Sequence, residues 1–427
     1  MSQTIGKYRW TIVALLFFAT TVNYIDRQVI GLLKPTLETA FSWTETDYAN
    51  IVMAFSATYA IGWLIFGRVI DSIGVRMGYT IAIVVWSIAA MLHAMAGSTM
   101  GFIAMRALLG LGEGGNFPAA IKAVAEWFPK RERALATGFF NAGTSLGPVL
   151  TPLLVPWLLG VYGWQAAFVV SGAIGFVCLF FWLRFYTSPG LQKRLTKEEY
   201  EYIHSDAPEQ VMGNEKPVGW WRLLGVQQTW AFIFGKMLTD PVWWFFLFWL
   251  PSYFASTFQI DLKKPSLELV IVYTVTALGG IGGGWLSGYF IKKGWPIFRA
   301  RKTAMLLFAL CVTPVILAKY AMNVWQAVGL ISLAMAAHQA WSANIFTTAS
   351  DMFPKRAVST VVGIGGMAGS VGGILFPFVV GRLLDFYKAA GNITAGYNLL
   401  FVVCGCAYLL AWGVMHLFAP RMEQVRL

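Results

Sequence analysis

The chain has 427 residues, of which 57% are hydrophobic and only 12% are charged, and its formal net charge is +12. Soluble domains carry charge on about a quarter of their residues, so this composition excludes a water-soluble protein. A net charge of +12 can indicate nucleic-acid binding, but the basic residues lie in short runs between apolar stretches. That distribution is typical of loops between membrane spans and argues against nucleic acid as a partner.

The apolar stretches are long enough to cross a bilayer. A helix needs about 20 residues to span the hydrocarbon core, and the sequence predicts an all-α membrane protein with twelve spans, at residues 8–33, 48–70, 77–96, 100–124, 134–158, 163–186, 226–256, 267–291, 302–319, 324–350, 358–384 and 395–418. We interpret the first as a retained spanning helix, because no small-residue cleavage site of a signal peptide follows it. The four cysteines fall within spans and are predicted to form neither a disulfide nor a metal site.

A polar stretch separates the sixth span from the seventh. Within it Thr196-Lys-Glu-Glu199 has the form of a capping box, which predicts a short surface helix. The chain is therefore predicted to divide into an N-terminal six-helix bundle at 1–186, a cytoplasmic linker at 187–225 and a C-terminal six-helix bundle at 226–427.

The distribution of Lys and Arg predicts the orientation. Of the 32 basic residues, 23 fall in segments on one side of the predicted spans, six on the other side and three inside the spans. Segments rich in Lys and Arg stay in the cytoplasm. We therefore expect a multi-pass protein of the bacterial cytoplasmic (inner) membrane with both termini in the cytoplasm.

The two halves of the sequence repeat each other. Phe128-Pro-Lys-Arg131 recurs as Phe353-Pro-Lys-Arg356, and at the same offset of 225 residues Gly138 matches Gly363, Ser145 matches Ser370 and Gly147 matches Gly372. Spans 4 and 5 thus correspond to spans 10 and 11. Internal repeats with a substrate site between them are typical of secondary transporters.

Six charged residues lie inside the predicted spans: Asp26, Arg27, Arg106, Glu113, Lys236 and Asp240. Each would cost about 2.5–3.5 kcal/mol at membrane depth if unpaired, so they must form ion pairs or line a hydrated pathway. From a rise of about 1.5 Å per residue, we expect Asp26 about 10 Å and Arg106 about 9 Å below the outer ends of spans 1 and 4. Glu113 is expected two turns deeper than Arg106, on the same helix face.

The loop between spans 2 and 3 carries a recognisable motif. Its sequence, Gly67-Arg-Val-Ile-Asp71-Ser-Ile-Gly74-Val-Arg76, resembles the Gly-x-x-x-Asp-x-x-Gly-x-Arg motif of the major facilitator superfamily. The resemblance implies twelve helices in two pseudo-symmetric six-helix bundles. It also implies a cytoplasmic gate in which Asp71 lies near a helix end and Arg76 belongs to a charge relay.

Other motifs resemble one branch of that superfamily, the anion:cation symporters, and within it the hexuronate transporters. They are Asn23-Tyr24-Ile-Asp26-Arg27, Arg106-Ala-Leu-Leu-Gly-Leu-Gly-Glu113, Leu195-Thr-Lys-Glu-Glu199 and Ala337-His338-Gln339-Ala340. Galactonate-type members carry Asn where this chain has Gly366 and Gln where it has Thr144. These two departures favour a sugar acid other than galactonate.

The charged residues suggest a division of roles. Arg27 and Arg106 offer planar, permanently charged donors suited to a substrate carboxylate, and Asp26 and Glu113 can exchange protons if desolvated. The resemblance implies proton coupling by Asp26 and Glu113 and an anion grip by Arg27. The alternative is that Asp26–Arg27 and Arg106–Glu113 are static ion pairs needed only for assembly. Lys236 and Asp240 lie four residues apart in span 7 and can form an ion pair on one helix face. That they contact the substrate and that they only pair with each other are equally compatible with the sequence.

Further polar and aromatic side chains complete the predicted substrate site by analogy. With Arg27 and Arg106 they are Tyr24, Tyr59, Asn141, Thr144, Lys236, Asp240, Trp244, His338, Gln339 and Ser342. Hydroxyl groups of a sugar acid need polar partners, and its C–H face needs an aromatic surface. His338 can equally be a hydrogen-bonded structural histidine.

These features predict a monomeric, proton-driven symporter that imports an organic anion, specifically a hexuronate such as glucuronate or galacturonate. No cofactor or metal is expected, because the glycine-rich runs lack the strand and Lys-Ser/Thr context of a phosphate loop, so an ion gradient is the energy source. Alternatives are another carboxylate (galactonate or another aldonate, aldarate, phthalate or tartrate) and a non-transporting membrane sensor. An enzyme is disfavoured because no Ser/His/Asp set or paired-Cys metal spacing occurs.

Overall fold

The computed structural model describes residues 6–43, 45–205, 218–260 and 267–425, and within these ranges the regular structure is entirely helical. The helices before the linker are α1 (Tyr8–Phe41), α2 (Glu45–Ile73), α3 (Val75–Leu92), α4 (Thr99–Glu113), α5 (Asn116–Trp127), α6 (Lys130–Asn141), α7 (Gly143–Tyr162) and α8 (Trp164–Phe185). Those from the linker onward are α9 (Lys197–Ile203), α10 (Trp220–Leu224), α11 (Gln227–Phe258), α12 (Leu267–Lys292), α13 (Ile297–Val312), α14 (Val324–Met352), α15 (Lys355–Ala389) and α16 (Ile393–Phe418).

Each predicted span coincides with helix, but two spans are divided. Span 4 consists of α4 and α5, and span 5 consists of α6 and α7. The break in span 4 falls at Gly114 and Gly115, where neighbouring helices come very close. A Cβ at Gly114 would lie 2.6 Å from the backbone of Gly62, and one at Gly115 would lie 2.6 Å from the Ala82 side chain. Glycine is therefore required there by packing.

The twelve spans differ in their apolar character. Among the described residues, eight segments are long and apolar enough to cross a membrane, and the four spans outside this set are the first, fourth, seventh and tenth. These correspond to α1, to α4 with α5, to α11 and to α14. The six charges at membrane depth lie on three of them, and α14 carries His338 and Gln339. The first span and every third span after it are thus more polar than the two spans that follow each of them.

A single glycine separates α2 from α3. Gly74 has φ +84°, in the left-handed region that residues with a side chain rarely adopt. The chain therefore reverses direction within one residue, between Ile73 and Val75. This turn belongs to the face that carries most of the Lys and Arg residues, which we call the basic face.

The linker contains a short helix, α9, that packs against the start of α1. Thr196 Oγ1 accepts a hydrogen bond from Glu199 N at 3.2 Å, as a capping residue should. The Glu199 carboxylate does not return this bond; it accepts from the backbone N–H groups of Tyr8 at 3.1 Å and Arg9 at 3.0 Å. Glu199 thus caps α1 rather than α9. Residues 206–217 of the predicted linker lie outside the described ranges, and the exact division at 186 and 225 stays a prediction.

Residues of the linker and of α6 meet around Arg9. Its guanidinium forms ion pairs with Glu132 at 3.0 Å and Glu199 at 3.1 Å. The Tyr202 hydroxyl of α9 donates to Glu132 at 2.7 Å. Partial burial raises the pKa of Tyr202, and the bond to the Glu132 carboxylate acts in the same direction. The phenol therefore stays protonated and keeps donating over the physiological pH range.

The two sequence halves contact each other through α2 with α15 and through α6 with α12. Glycines lie at both contacts: a Cβ at Gly363 of α15 would overlap the carbonyl oxygen of Trp63, and one at Gly138 of α6 would overlap that of Gly280. Gly138 and Gly363 are the positions that the sequence repeat matches. The same glycine in each half therefore permits a close helix contact with the other half.

We expect Gly284→Ala to weaken the contact between α6 and α12, whereas Gly282→Ala two residues earlier should not. A Cβ at Gly284 would overlap the carbonyl oxygen of Ala134, and one at Gly282 meets nothing within 4 Å. Alanine in place of glycine favours a helix by about 0.5–1 kcal/mol where space allows. Thermal unfolding in detergent should show a lower midpoint for Gly284→Ala and an unchanged or higher one for Gly282→Ala. Equal midpoints would contradict this contact.

Candidate functional site

Two neighbouring chambers lie between the halves. The outer chamber contains about 770 Å³ of space not filled by atoms, part of it open to solvent, and is lined by Arg27, Gln28, Ile30, Gly31, Val52, Phe55, Ser56, Tyr59, Arg106, Trp244, Leu247, Ser370 and Ile374. The inner chamber contains about 490 Å³ of such space, also partly open to solvent, and is lined by Tyr24, Tyr59, Trp63, Phe117, Asn141, Thr144, Lys236, Asp240, Trp243, Trp244, His338, Gln339, Ser342, Phe346, Gly366 and Ser370. Their shared wall consists of Tyr59, Trp244 and Ser370.

Arg27 lies where the outer chamber approaches the inner one. Its Nη2 and Nε donate to Glu113 Oε2 at 2.8 and 3.1 Å, and Nη2 is 3.5 Å from Asn23 Oδ1. Its guanidinium carbon lies 4.5 Å from the ring centroid of Tyr24 and 4.6 Å from that of Tyr59. These rings hold the cation by cation–π attraction. Nη1 has no hydrogen-bond partner among the described residues.

The ion pair of Arg27 with Glu113 corrects the predicted depths. Span 1 was expected to end at residue 33, but α1 continues through position 35 to Phe41. Arg27 is therefore 14 residues from the end of α1, and Glu113 is 14 residues from the start of α4 at Thr99. At about 1.5 Å per residue both lie about 21 Å from those helix ends, so the pair is level. Asp26 is 15 residues from the end of α1, about 22 Å along the helix, whereas about 10 Å from the end of span 1 was expected.

The static pairs considered from the sequence are not formed. Glu113 pairs with Arg27 rather than Arg106, whose Nη2 instead donates to the backbone oxygen of Arg27 at 3.0 Å. Asp26 is 1% exposed and lines neither chamber. Neither of its carboxylate oxygens accepts a hydrogen bond among the described residues, and Ser171, Glu113 and Arg106 are close enough to act on it electrostatically. Asp26 thus faces away from the chambers.

A polar bridge crosses the inner chamber between the halves. Asn141 Nδ2 at the end of α6 donates to Gln339 Oε1 at 2.5 Å and to Ser342 Oγ at 3.3 Å on α14. Gln339 Nε2 donates to Thr144 Oγ1 at 3.4 Å. All four residues belong to the predicted site. Their amide and hydroxyl groups can exchange these bonds for bonds to a polar ligand.

Lys236 and Asp240 of α11 form an ion pair at 2.8 Å on the wall of the inner chamber. The Lys236 ammonium also lies 4.2 Å from the ring centroid of Phe346. His338 is stacked on Trp243, with 5.2 Å between ring centroids, and its Nδ1 forms a hydrogen bond with the Tyr408 hydroxyl. All three predicted residues reach the chamber, and His338 has the hydrogen bond of a structural histidine as well.

Below the inner chamber, the basic face is closed. Asp71 of α2 accepts hydrogen bonds from Thr360 N and Oγ1, both at 2.7 Å, at the start of α15. Its cationic partner is Lys122 at 2.7 Å. Arg76 does not take part in this relay, since its Nη2 donates to the Leu183 backbone oxygen at 2.9 Å. Asp71 thus lies near a helix end, as expected, while Arg76 forms no ion pair among the described residues and its place in a charge relay stays a prediction.

A second latch at the same face joins α6 to α14. Arg133 Nη1 donates to Ser350 O at 2.7 Å and lies 3.4 Å from Asp351 Oδ1. Arg301 holds the other oxygen of Asp351 at 3.1 Å. The carboxylate is thus shared by two guanidinium groups, one from each half. With both latches closed, the chambers are separated from the basic face.

A model of the Major Facilitator Superfamily matches residues 16–377. The chain belongs to this superfamily. The hexuronate transporter of Escherichia coli (strain K12) is 32% identical over 411 residues, which cover 96% of this chain and 93% of the relative. A probable galactarate/D-glucarate transporter of the same strain is 29% identical over 437 residues, covering 97% of this chain and 96% of the relative. The chain is therefore a membrane transporter and not an enzyme.

A solved structure confirms the superfamily fold. A major facilitator superfamily proton:xylose symporter, bound to 6-bromo-6-deoxy-D-glucose, matches with a TM-score of 0.75 over 97% of both chains. Its sequence identity is 19%, so this likeness concerns the fold alone. The predicted all-α membrane architecture of twelve helices in two bundles is correct.

Several residues lining the chambers of this superfamily member were not predicted. Four of them lie four positions after a residue discussed from the sequence: Gln28 after Tyr24, Trp63 after Tyr59, Phe346 after Ser342 and Ser370 after Gly366. Residues four apart share a helix face. Extending each predicted contact by one helical turn would have found them.

We expect removal of one partner of the Arg27–Glu113 pair to destabilise the protein more than removal of both. Arg27→Gln leaves an unpaired carboxylate at a site that is 0% exposed, and breaking a buried pair in this way costs about 3–5 kcal/mol. The loss of stability in Arg27→Gln should grow as the pH rises, because the Glu113 carboxylate needs the cation only in its ionised form. Thermal unfolding of Arg27→Gln, Glu113→Gln and the double variant measures it.

The double variant Arg27→Gln/Glu113→Gln is the control for that comparison, because it removes both charges and keeps similar side-chain volume. Its midpoint should lie closer to the wild type than that of Arg27→Gln. A double variant as unstable as Arg27→Gln, with no dependence on pH in either, would contradict a buried ion pair at this position.

Proposed function

We propose that this transporter is a proton-coupled symporter that imports a sugar-acid anion, specifically a hexuronate such as glucuronate or galacturonate, by alternating access. The single observation that carries the proposal is the state of Arg27. Its guanidinium lines the outer chamber with Nη1 unpartnered among the described residues, while its other nitrogens bind Glu113. It can therefore bind a substrate carboxylate and is coupled to a proton-binding group at the same time.

The free nitrogen of Arg27 favours an anionic ligand. A buried N–H donor without an acceptor costs about 1–3 kcal/mol, and a carboxylate offers two acceptor oxygens in the plane of a guanidinium. The rings of Tyr24, Phe55 and Tyr59 surround the cation at 4.5–5.1 Å and restrict its orientation. Arg27 is thus pre-organised for a carboxylate.

The inner chamber supplies what the rest of a sugar acid needs. The amides of Asn141 and Gln339 and the hydroxyl of Ser342 can serve the sugar hydroxyls, and the rings of Trp63 and Trp244 provide aromatic surface for its C–H face. The relative that is named a hexuronate transporter is similar over nearly its whole length. The presence of both polar groups and aromatic rings in the lining supports a sugar acid over an aromatic acid such as phthalate.

The contact between Arg27 and Glu113 supports proton coupling. A substrate carboxylate that draws Arg27 away leaves Glu113 as an unpaired anion at a buried site, where ionisation is costly. Glu113 then binds a proton. Asp26 is buried without a hydrogen-bond partner for either oxygen, so its neutral form is also favoured there. We assign proton coupling to Glu113 and Asp26, with no cofactor other than the proton gradient.

The transport direction follows from the closed basic face. The outer chamber extends from Arg27 toward the Phe41 end of α1, away from the latches at Asp71 and Arg133. We propose that the basic face is cytoplasmic, because it carries most Lys and Arg residues, and that both termini lie there. On this proposal the protein acts as a monomer in the bacterial inner membrane, and the chamber that opens away from the latches supports an outward-facing arrangement that receives substrate.

The uptake experiment described below can also reveal one of two other functions. One is symport of another carboxylate, such as galactonate or another aldonate, an aldarate, phthalate or tartrate. Gly366 and Thr144, which replace the Asn and Gln of galactonate-type members, both line the inner chamber and so bear directly on substrate choice. The other is a membrane sensor that binds the anion without moving it.

Uptake of labelled sugar acids into proteoliposomes, with and without an inward proton gradient, tests the proposal. We expect accumulation of glucuronate or galacturonate only with the gradient, and competition by both. Counterflow of labelled substrate separates transport from sensing, because a sensor binds without exchanging label. Lack of competition by both hexuronates would exclude this substrate class, and binding without counterflow would exclude transport.

We expect Glu113→Gln to abolish accumulation driven by a pH gradient while leaving some exchange of labelled for unlabelled substrate. The amide cannot release or bind the coupled proton, but it keeps the shape of the side chain and a hydrogen bond to Arg27. Asp26→Asn should behave alike. Parallel measurement of gradient-driven uptake and of exchange in the same vesicles shows the difference. Normal gradient-driven uptake in both variants would remove these residues from proton coupling.

A further inference from the structure

The Lys236–Asp240 pair is the second place where charge meets the inner chamber. Both residues line it, and 20% of the Asp240 side chain is exposed, compared with none of the Glu113 side chain. Asp240 is the one acceptor of Lys236 among the described residues, although an ammonium group has three donors. The pair is therefore accessible from the chamber and is not saturated.

Tyr24 lies between this pair and the Arg27–Glu113 pair. Tyr24 lines the inner chamber with Lys236 and Asp240, and its ring lies 4.5 Å from the Arg27 guanidinium carbon. The Tyr24 hydroxyl interacts electrostatically with Arg27, with Glu113 and with Asp240. A ligand whose carboxylate reaches Arg27 past this tyrosine therefore has its other end near Lys236 and Asp240.

We propose that Asp240 restricts the site to sugar acids with one carboxylate by neutralising Lys236, which then donates only to a hydroxyl or carbonyl oxygen at the far end of the substrate. The proposal rests on the proposed function and specifies its substrate class. Relatives of this chain include transporters named for hexuronates and for galactarate and D-glucarate, so both kinds of anion have to be considered.

The surroundings of Asp240 support this role. Its carboxylate lies against the backbone of α15, where a Cβ at Gly369 would overlap Oδ2. A second substrate carboxylate competing for Lys236 would have to leave Asp240 unpaired in that confined place. Like charges at such close range cost several kcal/mol in a binding site. The pair thus rejects a dianion both by repulsion and by loss of its own contact.

Competition measurements on the whole protein in proteoliposomes test the proposal. Labelled glucuronate is exchanged in the absence of a pH gradient, and unlabelled galacturonate and galactarate serve as competitors for the wild type and for Asp240→Asn. We expect the wild type to bind galacturonate at least about tenfold more tightly than galactarate. In Asp240→Asn the ratio of the affinity for galacturonate to that for galactarate should fall by about tenfold or more. Asp240→Ser carries the same expectation if Asp240→Asn does not fold.

The double variant Lys236→Gln/Asp240→Asn is the matched control, because it removes the freed cation as well. It should recover the preference for galacturonate that Asp240→Asn loses. An unchanged ratio in Asp240→Asn and Asp240→Ser, or a wild type that binds galactarate as tightly as galacturonate, would overturn the proposal while leaving hexuronate transport intact. Absence of glucuronate exchange in the wild type would instead overturn the proposed function on which it rests.

Discussion

The ion pair between Arg27 and Glu113 is the interaction on which the rest of the site depends. It joins α1 to α4 at a depth where neither charge could remain alone, and the aromatic rings of α1 and α2 fix the guanidinium in place. Such a pair contributes little net stability, because desolvation of the ions offsets their attraction. The pair matters for function because it can be exchanged. A ligand carboxylate that binds Arg27 in place of Glu113 leaves the Glu113 carboxylate without its cation. The chambers, the polar bridge and the second ion pair are all arranged around this exchange.

Closure of the basic face depends on the internal repeat. The matched glycines Gly138 and Gly363 bring α6 onto α12 and α2 onto α15, so the two halves meet along two similar contacts. Ionic latches lie beside these contacts, at Asp71 with the start of α15 and at Arg133 with Asp351. Bonds of this kind can break and reform without disturbing either bundle, because each latch joins groups at helix ends. Similar contacts on both sides of the molecule suit a rocking movement of one half against the other.

The sequence predicted the spans, the repeat and most of the residues that line the chambers, because hydropathy, helical periodicity and short motifs are properties of the chain alone. It did not predict the length of α1, since Lys34 and Pro35 resemble a helix end but the helix continues to Phe41. Depths counted from residue 33 therefore did not place Arg27 level with Glu113, which is its partner. Partner choice depends on how helices are rotated against each other, which spacing within one helix does not determine. The same limit explains why Lys122 was not predicted as the partner of Asp71.

The polar character of every third span has a consequence for how the protein is made. Spans 1, 4, 7 and 10 fall outside the set that is apolar enough to cross a membrane by composition, and α1, α4 and α11 carry full charges. Such segments partition poorly into lipid one at a time. We expect these spans to enter the bilayer together with their more apolar neighbours, which shield the charges. Charge pairing across helices would then be part of integration into the bilayer as well as of the finished transporter.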